Sequence, residues 1–314
     1  MGFDAQITDF EGIPIQNFKP DSLPDDLGGI GWRISIDWEA YEAGRKFSEV
    51  FAQLLALPGA SELQALIVGC WEGGAEGESS ESVIEALVSA REQLPNLKHL
   101  FIGEMLQEEC EVSWINQSDI SPIFLAYPKL LTLRVRGSQG LSLGRPVHEN
   151  LRNLIIEGGG MPGELVSEVT SARLPNLVHL ELWLGDDGYG RSVRQEELQP
   201  ILDGGLFPKL KYLGLRNDSD IDTTVTWLQG AKLLDQLSVL DISLGTLSDL
   251  GAAALLENDG LKGLKRLNAF FNFLSDAAAD SLTSALPGVE VDVSQQNEAD
   301  EYDGDAYRYN FVSE

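Results

Sequence analysis

The sequence predicts an α/β solenoid, in which short strands and helices alternate along the chain. Two observations predict this class: an aliphatic motif recurs through most of the 314 residues, and stretches with helical apolar spacing separate its copies. The composition agrees, since 43% hydrophobic and 23% charged residues are typical of a globular protein and exclude a disordered polyelectrolyte or a collagen-like chain. We therefore expect repeated units that share one continuous core.

The recurring motif is Leu-x-x-Leu-x followed by an aliphatic residue, and it predicts the strands. Its first leucines lie 21 to 34 residues apart, about 29 on average, which is the period of a leucine-rich repeat. Shortened copies at Trp32–Asp37 and Val289–Val293 bring the prediction to about ten parallel strands. The first leucines of the eight full copies are Leu63, Leu97, Leu130, Leu151, Leu177, Leu210, Leu237 and Leu264.

The intervals between the motifs predict the helices. Between residues 79 and 94, for example, Val83, Ile84 and Leu87 recur at the spacing of one helical face. Ser248 and Ser275 precede two further apolar helical stretches, where a serine oxygen can cap the first turn. A single strand and helix cannot bury its own leucines, so the units must stack into a right-handed superhelix with strands on the concave face and helices on the convex face.

The two ends of the chain differ from the repeats and predict caps. We expect residues 1–62 to form an N-terminal cap of one strand and one helix that continues into the solenoid, residues 63–293 to form the repeats, and residues 294–314 to form an acidic tail or cap. The cap helix is predicted over residues 39–57, with Trp38 packed against it. The tail either folds back onto the last repeat, which we expect, or serves as a loose recognition segment.

Two segments resemble a known repeat family. LSVLDISLGTLSDLGAAALL and LKRLNAFFNFLSDAAADSLTSALP look like the helix-bearing, ribonuclease-inhibitor-type leucine-rich repeats. That resemblance implies the solenoid fold and no particular activity, because such repeats bind many unrelated partners. The asparagine usual at the ninth repeat position stands only at Asn272, with Asp218 as a near substitute, so we do not expect an evenly spaced asparagine ladder.

A second resemblance extends over nearly the whole chain. The opening GWRISIDWEAYEAG, the Leu-Pro-x-Leu strand starts and the closing LPGVEVDVS are similar to a bacterial family of leucine-rich-repeat proteins of unassigned function. Members of that family tend to be encoded beside radical S-adenosylmethionine and ATP-grasp-type enzymes. The resemblance therefore implies an accessory or scaffold role and no reaction of its own.

Charge excludes several classes of partner. The chain has 22 Lys and Arg against 50 Asp and Glu, a net charge of −28 at pH 7, which repels nucleic-acid phosphates and anionic lipids. Its two cysteines, Cys70 and Cys110, form no disulfide framework, the N-terminus lacks the pattern of a secretory signal, and no apolar run is long enough to span a bilayer. We expect a cytoplasmic monomer whose partner is neither nucleic acid nor membrane.

Candidate binding residues lie at the third, fifth and seventh positions of each motif, which point away from the helices and form what we call the strand face. These 29 positions hold five Arg and six acids, near charge balance in a strongly acidic chain. Arg and aromatic side chains together are typical of protein interfaces. The alternative is that they simply pack along the sheet, Arg stems covering apolar area. We predict a docking surface for a protein or peptide at Arg134, Arg136, Trp183, Tyr212, Arg216 and Phe270, with His99 and His179 on the same face.

A catalytic role is the alternative hypothesis. His99 and His179 share the strand face with carboxylates, and such a pair could perform general acid/base work in an enzyme or a maturation factor. The two histidines lie three repeats apart, roughly 14 Å at the spacing of parallel strands, so they cannot share a metal. A calcium-like run at Asp218–Asp222 has Thr223 where such loops need glycine. We therefore expect a non-enzymatic module without metal or cofactor.

Two acidic, glycine-rich runs, at residues 73–81 and 185–190, match no nucleotide-binding spacing. Their carboxylates would repel a phosphate group. We expect them to be insertions that lengthen two of the repeats.

Overall fold

A computed structural model describes residues 5–302 and 305–313. The chain divides into two compact units: the first unit comprises Met1–Glu157 with Ser171–Pro175, and the second unit comprises Gly158–Thr170 with Asn176–Glu314. In the part of the chain that the structure describes, no helix has the length and apolar character needed to cross a membrane.

The strands of the first unit follow one another in chain order across a sheet. Strand β1 pairs with β2 antiparallel, and every later pair, from β2–β3 to β6–β7, is parallel. The first unit has the strands β1 (Asp9–Phe10), β2 (Ile13–Asn17), β3 (Gly31–Ile34), β4 (Ala65–Val68), β5 (His99–Ile102), β6 (Thr132–Arg136) and β7 (Asn153–Glu157).

The helices of the first unit correct the predicted N-terminal cap. They are α1 (Trp38–Glu42), α2 (Phe47–Leu55), α3 (Glu81–Ser89) and α4 (Ser121–Ala126). Two helices replace the single helix predicted over residues 39–57, because Gly44 between them has a φ of 76°, which ends a helix. The expectation that Trp38 packs against the cap is also wrong, since its side chain is 57% exposed.

The second unit repeats the pattern, and its strands β8 to β12 pair parallel in chain order, with β13 and β14 forming a separate hairpin. Its strands are β8 (His179–Gly185), β9 (Tyr212–Asp218), β10 (Val239–Asp241), β11 (Arg266–Asn268), β12 (Glu290–Asp292), β13 (Asp300–Tyr302) and β14 (Asp305–Tyr307). Its helices are α5 (Gly163–Thr170), α6 (Gln195–Leu202), α7 (Ile221–Thr224), α8 (Asp249–Leu256) and α9 (Asp276–Ala285).

The predicted α/β leucine-rich-repeat fold is confirmed within each unit. All ten predicted strands are present as β3 to β12, and the motif leucines stand opposite one another, as in the row Leu180, Leu213, Leu240 and Leu267. These leucines are fully buried, as expected for the interior of a stack of repeats. Ser248 and Ser275 cap α8 and α9 through their side-chain oxygens, as predicted.

Asp222 and Asn272 bind neighbouring repeats together in the second unit. Asn272, the asparagine at the ninth repeat position, is fully buried. Its amide donates to the backbone oxygens of Ile242 and Ala269, and so links two neighbouring repeats. Asp222 lies inside α7 and does not cap that helix. It accepts from the backbone N–H groups of Ser248 and Gly251, and so fixes the start of the next repeat's helix.

The strand face of the first unit is covered by the chain itself. The apolar side chains of β1 and β2, Phe10 and Ile15, form a buried cluster with Ala65, Ile67 and Phe101. The expectation that alternate side chains stay open to a partner is therefore wrong here. The reason is that this face is apolar, and the hairpin of β1 and β2 supplies the apolar surface that buries it.

The described part of the C-terminal tail packs on the second unit. The Phe311 ring lies 5.1 Å from that of Phe271 and 6.3 Å from that of Phe273, between centroids. Asn310 donates from its amide to the backbone oxygen of Asn217, at 2.7 Å. These contacts are those expected of a tail folded onto the last repeats.

Candidate binding surface

Four of the predicted binding residues lie together on two neighbouring strands of the second unit. His179 and Trp183 stand on β8, and Tyr212 and Arg216 stand directly opposite them on β9. The rings of His179 and Tyr212 are stacked, with centroids 3.8 Å apart and planes within 7° of parallel. The Arg216 guanidinium lies over the Trp183 ring, 5.0 Å from its centroid, a favourable cation–π geometry.

Glu181, between His179 and Trp183 on β8, holds this group together. One of its carboxylate oxygens accepts from the Trp183 indole N–H and from an Arg216 N–H, each at 2.7 Å. The other lies 3.1 Å from the Tyr212 hydroxyl oxygen and 3.4 Å from Nε2 of His179. The sequence placed Glu181 on the strand face as one of six acids. The period of a strand shows which way a side chain points, but it does not show which residues that side chain bonds to.

Asp241 on β10 extends the network to the next strands. The Tyr212 hydroxyl has one proton and lies closest to an Asp241 oxygen, at 2.8 Å. Asn268 on β11 donates to the same oxygen at 2.8 Å, and the Ser243 backbone N–H donates to the other. We call Glu181, Tyr212, Arg216, Asp241 and Asn268 the polar network. It connects four consecutive strands of the second unit.

Gly214 provides the space for this arrangement. It lies on β9 in one row with Glu181 and Asp241, where every other strand of the row carries a side chain. A Cβ atom at Gly214 would approach the Glu181 Cγ to 3.0 Å and a Tyr212 ring carbon to 3.1 Å. The absent side chain therefore lets the Tyr212 ring lie between the two carboxylates.

The electrostatics of the network keep both of its main charges ionised. Burial would raise the pKa of Glu181, but the hydrogen bond from His179 and the charge of Arg216 hold that pKa well below its ordinary value. Burial would lower the pKa of Arg216, but the carboxylates of Glu181 and Asp241 raise it further above its ordinary value. Burial and the same two carboxylates raise the pKa of Tyr212, so its hydroxyl stays protonated and can donate.

Part of this surface remains accessible. The side chains of His179 and Arg216 are 29% and 21% exposed, and those of Arg266, Asn268 and Phe270 are also partly exposed. Phe270 follows β11 and is held by its backbone N–H, which donates to the Asn268 side chain. We define the second-unit face as His179, Tyr212, Arg216, Arg266, Asn268 and Phe270. Glu181, Trp183 and Asp241 lie buried beneath these residues.

The three remaining predicted residues lie in the first unit and are more enclosed. Arg134 and Arg136 both bond to Glu157, which is fully buried, and Arg136 also donates to the backbone oxygen of Met105. Only Arg134 keeps notable exposure, at 25% of its side chain, with its guanidinium 4.5 Å from the centroid of the Phe101 ring. His99 is buried, and burial lowers its pKa. Neither His99 nor Arg136 offers surface to a partner.

The chemistry available on the second-unit face is recognition by hydrogen bonds, ring stacking and charge. Over residues 5–302 and 305–313, no group of three or more His, Cys, Asp or Glu side chains is placed to hold a metal ion. The carboxylate of Glu181 is a weak base because its donors stabilise the ionised form. The face is thus suited to hold a ligand in a fixed orientation.

Comparison with known proteins identifies relatives by structure. No protein-family profile matches the sequence, and no curated protein matches it. An internalin from Listeria monocytogenes aligns with 86% of this chain and 68% of its own, at 17% identity and a TM-score of 0.35, too low to carry an argument. A protein of known crystal structure from Bacteroides fragilis is 33% identical over 85% of this chain and 74% of its own, with a TM-score of 0.78. The chain therefore belongs to the same protein family as the Bacteroides fragilis protein.

Proposed function

We propose that this protein is a non-enzymatic interaction module that binds a protein or peptide on the second-unit face. The observation that carries the proposal is the pre-organised group of His179, Tyr212 and Arg216, held in place by two buried carboxylates. Aromatic and Arg side chains that are already fixed lose little conformational freedom on binding, so they make effective anchors. A scaffold role beside an enzyme, as the sequence resemblance implies, is compatible with this proposal.

The partly exposed groups suit an extended segment of polypeptide. Arg266 lies within reach of two carboxylates, 3.0 Å from Asp292 and 3.5 Å from Glu290, and is still 40% exposed. Phe270 adds an apolar ring beside these charges. The accessible charges of this face are the guanidiniums of Arg216 and Arg266, which would contact acidic side chains or backbone oxygens of the bound segment, while Phe270 would contact its apolar side chains. The net charge of −28 favours a partner that is basic outside this segment.

The test is affinity capture from the native host with the purified protein as bait, followed by measurement of the affinity of each captured partner. The variant Phe270→Ser removes an accessible ring that makes no contact with the buried carboxylates, and His179→Ala removes the ring stacked on Tyr212 together with its 3.4 Å contact to Glu181. We expect each to weaken binding of a true partner by about tenfold or more. The matched control is Leu250→Ser on α8, a residue that is 76% exposed and lies outside the second-unit face.

Any of three results would overturn the proposal. One is a partner whose affinity is unchanged by Phe270→Ser and His179→Ala together, since it would have to bind elsewhere. Another is turnover of a small molecule that is lost in His179→Ala, since it would move the assignment to an enzyme. Equal losses in all three variants would also contradict the proposed surface.

The alternative of a His/carboxylate catalytic site has weaker support. His179 and Glu181 are neighbours, with Nε2 of His179 3.4 Å from a carboxylate oxygen of Glu181. Glu181 is buried and engaged with other donors. Glu181 by itself is unsuited to act as a general base near neutral pH, which needs a pKa near 7, because its pKa is held far below that value.

A further inference from the structure

The first unit contains a cavity that sequence analysis did not anticipate. Its volume is about 480 Å³, within the range of small-molecule sites. It lies where the chain leaves β3 and β4, at the carboxyl ends of these strands. Three aromatic side chains line it, those of Trp38, Tyr41 and Trp71.

Backbone hydrogen bonds and glycines build this cavity. The N–H of Ile36 donates to the oxygen of Cys70 at 2.7 Å, which joins the two loops that follow β3 and β4. Gly73 and Gly77 have φ values of 68° and 92° and bend the glycine-rich run back on itself. Gly74 must lack a side chain, because a Cβ atom there would come within 3.0 Å of the Trp71 indole. The run predicted as a simple insertion thus forms one wall.

The aromatic side chains are arranged around the opening. Trp71 is buried and fixed by its indole N–H, which donates to the backbone oxygen of Glu78. Trp38 is 57% exposed, with its ring centroid 5.8 Å from that of Tyr41 and the two planes at 57°. Asp37 caps α1 through the backbone N–H of Ala40, and so fixes the helix that carries both rings. An exposed tryptophan at the mouth of a cavity offers its π face to a ligand.

The charged residues of the cavity are all acidic. Glu76, Glu108 and Glu109 line it together with Asp37, and none of the described lining residues is a Lys or Arg. Glu76 accepts from the Tyr41 hydroxyl at 2.9 Å, which ties a carboxylate to one of the rings. Burial raises the pKa of Glu109, and the Arg33 guanidinium, whose charge opposes that shift, is bonded to Glu104 and Asn17. A positive charge brought by a ligand would therefore meet carboxylates and π faces together.

We propose that this cavity binds an organic cation, an ammonium or guanidinium group on an apolar stem such as a Lys or Arg side chain. The stem would lie against Ile36, Cys70 and Trp71, and the cationic head would lie between the Trp38 ring and the carboxylates. Rings and carboxylates around one opening recognise such groups by cation–π attraction and charge. Anionic ligands are excluded by the same carboxylates. This proposal uses no residue of the second-unit face.

The test is to titrate small cationic probes, with one neutral control, into the full chain. Binding is monitored by NMR of the tryptophan indole N–H signals and by calorimetry. The probes are the blocked amides of lysine and arginine, the free amines cadaverine and agmatine, and the blocked amide of norleucine, which has an apolar stem and no charge. We expect the cationic probes to bind and shift the Trp38 indole signal, and the norleucine amide to bind at least tenfold more weakly. Tighter binding of the blocked amides would point to a partner's side chain, and tighter binding of the free amines to a small metabolite.

Variants at the lining residues complete the test; Trp38 and Glu108 are exposed, and Glu109 is partly buried. Trp38→Leu, and separately Glu108→Gln with Glu109→Gln, should each weaken the cationic probes by about tenfold. The matched controls are Trp114→Leu, a tryptophan 66% exposed outside the cavity, and Glu92→Gln, a glutamate 86% exposed. The proposal is overturned if no cationic probe binds at millimolar concentration, if the norleucine amide binds equally well, or if the controls weaken binding as much as Trp38→Leu.

Discussion

The strand faces of the two units are built from the same repeat and differ in what lies on them. In the first unit, Ala65, Ile67 and Phe101 form an apolar face that the chain buries under β1 and β2. In the second unit, Glu181 and Asp241 stand at equivalent repeat positions and organise a polar network that stays partly open. An apolar face gains by being covered, whereas a face that satisfies its own polar groups has no such need.

Each unit also buries charge on its strand face, in a different way. Glu157 of the first unit is fully buried and bonds two guanidiniums. Glu181 of the second unit bonds one guanidinium, that of Arg216, and its other contacts are the side chains of Trp183, Tyr212 and His179. We therefore expect the first unit to lose stability when its face is disturbed, and the second unit to lose recognition as well. The following predictions test this difference.

The largest effect is expected from Glu157→Gln in the first unit. The amide cannot balance two guanidiniums, of which Arg136 is only 4% exposed, so the free energy of unfolding should fall by about 3 to 5 kcal/mol. Urea titration measures it. Glu149→Gln is the control, since its ion pair with Arg173 is exposed at both side chains and should contribute less than about 1 kcal/mol. Equal losses in the two variants would show that the pairing of buried Glu157 with Arg134 and Arg136 does not stabilise the first unit.

Phe10→Ala should uncover the strand face of the first unit, at a cost of about 3 kcal/mol. The Phe10 ring lies 6.0 Å from that of His99, whose pKa burial now lowers from 6.5. Removal of the ring restores water, so the pKa of His99 should rise toward 6.5, as measured by NMR titration. Leu23→Ala, at a leucine 50% exposed, should leave both quantities unchanged. An unchanged His99 pKa in Phe10→Ala would show that β1 and β2 do not cover this face.

Glu181→Gln tests the polar network of the second unit, with an expected loss of about 2 kcal/mol at pH 7. The folded-state pKa of Glu181 lies below its ordinary 4.5, so its contribution is complete above that pH and is lost as pH falls toward the folded pKa. The difference between wild type and Glu181→Gln should therefore shrink between pH 5 and pH 3 in urea titrations. Glu290→Gln, at a side chain 69% exposed, should show a small difference throughout. A difference that stays constant with pH would contradict the depressed pKa.

The smallest effect is expected from Gly214→Ala, at about 1 kcal/mol. The new methyl group would crowd Glu181 and Tyr212, so the His179 and Tyr212 rings should separate, which NMR chemical shifts of the His179 ring would report. The matched control is Gly263→Ala, because a Cβ atom at Gly263 meets nothing within 4 Å and the backbone there has no positive φ. This control should leave the His179 ring signals unchanged. Identical spectra of Gly214→Ala and wild type would mean that the network does not depend on this space.

The repeats were predictable because burial leaves a periodic trace in the sequence. The row of Leu180, Leu213, Leu240 and Leu267 could be read from spacing alone, and so could the caps at Ser248 and Ser275. The hairpin of β1 and β2 was missed because its strands are short and lie outside the repeat. The alternation of Ile13 and Ile15 was the one period-two signal in this segment, and it is too short to predict a strand by itself.

The candidate sites were predictable only in part. Periodicity placed His179, Trp183, Tyr212 and Arg216 on one face, because alternate residues of a strand point the same way. It could not show that Glu181 is their common partner, that Gly214 is needed as empty space, or that Arg136 and His99 are enclosed. These facts depend on which strands become neighbours and on segments that cross over them.

The sequence by itself determined the strand-and-helix repeat, the acidic surface and the side of the sheet to which each residue points. These properties follow from local spacing and composition. The tertiary structure alone decided that the first strand face is covered while the second stays partly open, and that Trp38 stands at the mouth of an acidic cavity. Such outcomes arise from contacts between residues far apart in the chain, which leave no period in the sequence.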